Sequence, residues 1–149
     1  MSNARFTVLC ICMTCLGSVG VPEAQAASPQ PMVRKVNQVR VWHGLPKLRY
    51  SPRLARSANG WGSHLISTDR FRHTGIRASA RFRHVGEILA YHRGWRLKRS
   101  GTVRRWLASP GHRAAILSPT FRYVGAGRSR GYLGRRRATM WVVQFAAHR

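Results

Sequence analysis

Across residues 32–43 the apolar side chains Val33, Val36 and Val39 recur near helical spacing, and Gly44-Leu45-Pro46 stops the run. Ser51-Pro52 opens a second helix, with serine as N-cap and proline at the first helical position. Leu54, Ala58, Trp61 and Leu65 then follow at i, i+4, i+7 and i+11 and make one apolar face. Gly60 and Gly62 lie inside this helix. Each costs about 1 kcal/mol relative to alanine, and close packing against a neighbour would explain them. Residues 74–83 are polar and basic and read as loop with a short helix. Ile88 to Tyr91 fits a short strand. Residues 102–108 form a short helix with Val103, Trp106 and Leu107 on one side. Ser109-Pro110-Gly111 ends it, because proline cannot continue a helix and glycine tolerates positive φ. Residues 112–117 are helical again. Residues 121–127 and 139–146 alternate like strands, and in the second Thr139, Trp141, Val143 and Phe145 share a face. Residues 128–137 between them read as a Gly- and Arg-rich hairpin loop. Helices first and the clearest strand pair last predict an α+β domain, with helices packed on an antiparallel sheet.

The N-terminus reads as a secretory signal over residues 1–26. Arg5 supplies the positive start, residues 6–21 are largely apolar, and Ala24-Gln25-Ala26 is a small-residue cleavage site. The alternative is an uncleaved N-terminal anchor. No later segment approaches the roughly 20 apolar residues that a membrane span needs. Residues 27–32 form a short tether and residues 33–147 the domain. Cys10, Cys12 and Cys15 all leave with the signal, so packing rather than a disulfide framework must hold the exported chain. The residues before Cys15 fit a lipidation signal poorly. The expected location is outside the cell or in its envelope, as a monomer.

Charge narrows the class of partner. The chain carries 27 Lys and Arg against 3 Asp and Glu, for a formal charge of +24. Cleavage removes Arg5 and Glu23, one charge of each sign, and leaves Asp69 and Glu87 as the acids. Nearly all the positive charge is arginine, whose fork pairs bidentately with phosphate and carboxylate. Such a surface adheres to anionic wall polymers, lipid head groups or nucleic acid. An Arg-rich composition inherited from a GC-rich genome would look the same. Sequence-specific nucleic-acid recognition has no support: there is no helix-turn-helix, zinc finger or RNP motif.

The candidate chemistry sits in three blocks: Phe71-Arg72-His73-Thr74-Gly75, Gly86-Glu87-Ile88-Leu89-Ala90, and Trp106 through Arg113 with His112 near its end. His84 precedes Glu87 by three residues and is a weaker candidate for the same cleft. His64 reads as a solvated residue off the apolar face of its helix. His43, His92 and His148 read as surface residues. Four of the five tryptophans fall at core positions. Trp95, set between Arg93 and Arg96, is the exception: it can stack on a sugar, base or lipid head group, or be a partly buried loop aromatic.

Five ordered blocks together carry a resemblance. They are Val36-Asn37-Gln38-Val39-Arg40 with Gly44-Leu45, the His73 block, the Glu87 block, Trp106 to Arg113 with Ile116-Leu117, and Val124-Gly125 with Trp141-Val142-Val143-Gln144-Phe145. The chain resembles the bacterial secreted, SCP-like branch of the CAP superfamily: cysteine-rich secretory proteins, antigen 5 and group 1 pathogenesis-related proteins. The resemblance implies an α-β-α sandwich with a small antiparallel sheet between helical layers. It also implies a cleft of two histidines and two acids that can hold Zn2+ or another divalent cation. His73, Glu87 and His112 match three of those positions. Ser109 stands where the second acid is common, and Ile88 where an asparagine is usual.

Two imidazoles and one carboxylate can ligate zinc with a position left open for water. Alternatively, the two histidines simply hydrogen-bond Glu87 and pin loops together, or Glu87 is a buried anion neutralised by one of the many arginines. Three functions follow as expectations. The first is a non-enzymatic secreted binding domain that uses the cleft and its basic face. The second is a secreted hydrolase acting through His73, Glu87 and His112, with Glu87 as general base. The third is a cationic antimicrobial or polyanion-binding protein driven by charge alone.

Overall fold

The computed structural model describes residues 31–74, 82–95 and 99–148. The expected signal, most of the tether and most of the 74–83 loop lie outside the described residues. The elements run α1 (Pro31–Trp42), β1 (Arg49–Tyr50), α2 (Pro52–Ser67), β2 (His84–Arg93), α3 (Arg99–Ala108), α4 (Pro110–Leu117), β3 (Tyr123–Leu133) and β4 (Arg136–Ala147). The strands form one sheet in the order β1-β3-β4-β2. The three long strands are antiparallel, with Glu87 opposite Gln144 and Gly125 opposite the same glutamine. The two-residue β1 joins β3 in parallel and makes the sheet mixed.

Helices cover both faces, as an α-β-α sandwich requires. On one face Met32, Val33 and Val36 of α1, Val103 and Trp106 of α3 and Ile116 of α4 pack on Ile88, Val124, Trp141, Val143 and Phe145. On the other, Ala58 and Leu65 of α2 pack on Leu89, Met140 and Val142. β4 is buried from Ala138 to Ala147, on both faces, because it is central and sandwiched. Fully burying a side chain of this size contributes about 1.5–3 kcal/mol, so this strand anchors the core.

α2 begins as its sequence predicts. Ser51 takes an extended backbone and its hydroxyl accepts a hydrogen bond from the Leu54 amide, with Pro52 in the first turn. The helix lies directly against β3. A Cβ at Gly125 would collide with the backbone of Leu54 and Ala55, and one at Gly127 with that of Ala58 and Asn59. Gly62 faces Ser129 and Val142, which accounts for one helical glycine; Gly60 looks into open space.

Three local expectations change. Residues 128–137 are not a loop: β3 and β4 continue to Leu133 and Arg136, and only Gly134 and Arg135 turn. Gly134 has φ +59 at the first turn position, as a two-residue hairpin of this hand requires. The inward side chains of this stretch are small (Gly127, Ser129, Gly131), so the alternation lacked an apolar signal. β2 is also longer than the expected Ile88–Tyr91. Finally, α3 ends at Ala108 as expected, but the next helix starts earlier than residue 112: Pro110 and Gly111 form the first turn of α4, after Ser109 in extended conformation.

The glycine contacts yield a paired test. Gly127→Ala is expected to lower the unfolding free energy in urea by about 1–3 kcal/mol, the usual range for overpacking. Gly60→Ala, in open space, is expected to leave it unchanged or raise it by up to about 1 kcal/mol.

Candidate functional site

Glu87 lies on β2 with its side chain only 5% exposed. Its Oε1 accepts from the Thr74 amide at 3.0 Å and from His73 Nδ1 at 3.1 Å. Its Oε2 accepts from Thr74 Oγ1 at 3.2 Å and from Gln144 Nε2 at 3.1 Å. A buried carboxylate must be satisfied by hydrogen bonds, and here four donors do so. Among the described residues no lysine or arginine takes part. The segment carrying His73 and Thr74 is held on α2, where Trp61 Nε1 donates to the Arg72 carbonyl at 3.2 Å. With Nδ1–H donating to Glu87, the His73 ring, 60% exposed, keeps Nε2 as its acceptor nitrogen.

His112 reaches the cleft from the other helical layer. Trp106, 2% exposed, donates its Nε1–H to the Leu89 carbonyl at 2.8 Å and fixes the end of α3 on β2. The chain then turns through Ser109 and presents His112 in the first turn of α4. Among the described residues its Nδ1 is buried and has no hydrogen-bond partner. Burial first, and the nearby His73 second, lower its pKa below the ordinary histidine value, so its ring stays neutral. His112, Ser109, Trp106 and Arg105 line one cavity of about 230 Å³.

The structure therefore brings His73 onto Glu87 and sets His112 within electrostatic reach of His73. Among the described residues, however, no three His, Cys, Asp or Glu side chains form a group that could hold a metal ion. Both Glu87 oxygens are already engaged, and Ser109 adds no charge. A resident zinc centre does not fit this donor set.

The remaining candidates sort clearly. His84 is exposed and stands on the opposite face of β2 from Glu87. His64 is exposed and stacks on Trp61 at 4.8 Å. His43 and His148 are exposed, the latter stacked on Phe82. His92 is not a surface residue: it is 6% exposed, and its Nε2 pairs with Thr102 Oγ1 at 2.7 Å. Trp42, expected in the core, is 84% exposed because it ends α1 beyond the apolar stripe. Trp95 is stacked under the Arg137 guanidinium at 4.7 Å.

Three structural groups escaped sequence reasoning. Thr74 and Gln144 complete the Glu87 shell, and Gln144 carries a signal as the lone polar residue within Trp141–Phe145. Arg40 is fully buried. It donates from Nε to the Pro46 carbonyl and from Nη1 to the carbonyls of Ile116 and Ser118. Its place four residues after Val36 on the apolar stripe of α1 marks it in the sequence.

His112 ties the site to pH. Unfolded, its imidazole protonates near pH 6.5; folded, it does so only at lower pH. The unfolded state thus binds more protons in that window, and stability rises with pH there. Unfolding free energy is expected to be full above about pH 6.5 and to fall on acidification below it. Chemical denaturation across pH should show this slope flattened in His112→Ala.

A model of the cysteine-rich secretory protein family, CAP, matches residues 33–145. An uncharacterised membrane protein of Bacillus subtilis (strain 168), YlbC, is 28% identical over 118 residues, which is 72% of this chain; the chain spans only 33% of that relative. Among solved structures, an outer surface protein of Borrelia burgdorferi superposes with a TM-score of 0.66 at 20% identity, covering 79% of this chain and 90% of that one. An extracellular SCP-domain protein of Bacillus anthracis str. Ames superposes at 0.62 with 22% identity, covering 79% of this chain and 39% of that one. At these identities the likeness is one of fold. No described helix is long and apolar enough to cross a membrane.

Proposed function

The chain belongs to the CAP, or cysteine-rich secretory protein, family, and on that footing we propose that it is an exported, non-enzymatic domain that binds anionic polymers or lipid head groups of a cell envelope. One observation carries this reading. Among the described residues the two acids, Asp69 and Glu87, form no ion pair with lysine or arginine; the only acid–base contact is His73 with Glu87. Apart from Arg40, which is buried, the guanidinium charge of the described residues is not neutralised by carboxylates, and it is available to polyanions.

The state of Glu87 supports binding over hydrolysis. A general base needs a free oxygen within reach of the proton it takes. Both Glu87 oxygens instead accept hydrogen bonds from the protein.

Salt tests the charge. Affinity for an anionic polymer, measured by fluorescence anisotropy with labelled polyphosphate, should fall log-linearly with salt concentration, as expected when counterions are released. An affinity independent of salt would overturn the reading.

Zinc tests the cleft. A metal-ligating histidine commonly donates its other ring N–H to a carboxylate, as His73 does to Glu87. Two imidazoles without a third free ligand make a weak site. Calorimetry should therefore give zinc binding no tighter than about 10 μM, below the affinity expected of three-ligand centres. A submicromolar site that disappears in the His73→Ala, His112→Ala double variant would show that the cleft holds a resident metal.

A further inference from the structure

The cleft cavity is not isolated. A second cavity, of about 480 Å³, is lined by Lys35, Arg99, Ser100 and Arg104. His92 and Arg105 line both cavities. The two cavities adjoin at these residues and together make a depression with lining residues from α1, α3 and α4, His112 among them. Among its described lining residues are four fixed cations, Lys35, Arg99, Arg104 and Arg105, and no carboxylate. Glu87 is committed to His73, Thr74 and Gln144, and Asp69 to the Gly134 amide. Where the family resemblance places a second acid, this chain has Ser109, in the same cavity as a guanidinium.

We propose that this depression is a phosphate-binding trough: the cleft has changed sign, and it takes successive phosphate groups of a linear polyanion instead of a divalent cation. The inference rests on the anion-binding reading above and gives that reading a place. Four cations confined around two joined cavities repel one another, and an anion removes that repulsion. Arginine forks bind phosphate oxygens in pairs, and lysine adds a point charge. Guanidinium, ammonium and hydroxyl donors outnumber the two oxygens a single carboxylate offers, whereas phosphate presents more acceptors. Two adjoining cavities suit neighbouring phosphates on one chain better than a lone ion. His112 and Ser109 line the end of the depression that lies on α4.

The test uses the full chain and labelled linear polyphosphate in anisotropy titrations, with orthophosphate as a competitor. Arg104 and Arg105 are exposed, so Arg104→Gln with Arg105→Gln removes two trough charges without opening the core. Arg135→Gln with Arg136→Gln removes the same charge at the β3–β4 turn. The trough variant is expected to bind at least about tenfold more weakly, with a salt slope shallower by about two. The turn variant should lose less than about threefold. Lys35→Gln, on the opposite wall, should weaken binding in the same direction as the Arg104 and Arg105 changes. Orthophosphate should compete only at concentrations at least about tenfold higher than polyphosphate, and a chelator should change nothing. Equal losses in the trough and turn variants would overturn the trough while leaving polyanion binding in place. Polyphosphate binding abolished by a chelator would overturn it by showing a metal-dependent cleft. No polyphosphate binding by the unaltered protein would remove the anion-binding reading itself.

Discussion

The cleft is organised by hydrogen bonds that converge on the Glu87 carboxylate. Four donors from His73, Thr74 and Gln144 reach its two oxygens, and these residues come from the segment after α2 and from the central strand β4. A charge this deeply buried is tolerable only if it is fully solvated by the protein. The segment bearing His73 must therefore close over β2, and Gln144 must point at it from the neighbouring strand. The same bonds that make the cleft possible also occupy the lone pairs that a metal or a substrate proton would need. A recognisable motif and a carboxylate saturated by its own fold are compatible.

The position of Glu87 depends in turn on how closely α2 meets the sheet. Gly125, paired with Gln144, leaves no room for a side chain between β3 and the Leu54–Ala55 backbone. Gly127 does the same one step along the strand. With α2 drawn in, Trp61 can reach the Arg72 carbonyl and hold the His73 segment in place. On the other face Trp106 donates to the carbonyl of Leu89 on the edge strand and so fixes the end of α3, from which the chain passes into α4 and His112. Two aromatic N–H groups, one in each helical layer, thus position the two histidines.

Much of this was legible in the residues. The apolar stripes of α1 and α2, the Ser51-Pro52 start and the strand pair each follow from local physics, and each is present. The ordered motif blocks brought His73, Glu87 and His112 into one region, and the first two touch. Other features were hidden for identifiable reasons. The outer half of β3 faces inward with glycine and serine, so periodicity gave no sign of a strand. Buried polar groups such as His92, Arg40 and Gln144 follow from partners distant in sequence, and residue type alone argues against their burial. Ser109 was visible as a departure from the family pattern. That it shares a cavity with Arg105 is a fact of packing which no spacing rule supplies.

Arg40 bears on the environments this domain can tolerate. Its guanidinium, wholly inside the protein, joins α1 to the carbonyls that end α4 and to the loop at Pro46. In many small exported proteins a sulfur–sulfur cross-link would tie such distant segments. Residues 16–149 contain no cysteine, so the clasp is made of hydrogen bonds from a charged donor to backbone carbonyls, and thiol reductants have nothing in it to cleave. The domain can keep its shape in reducing and oxidising surroundings alike.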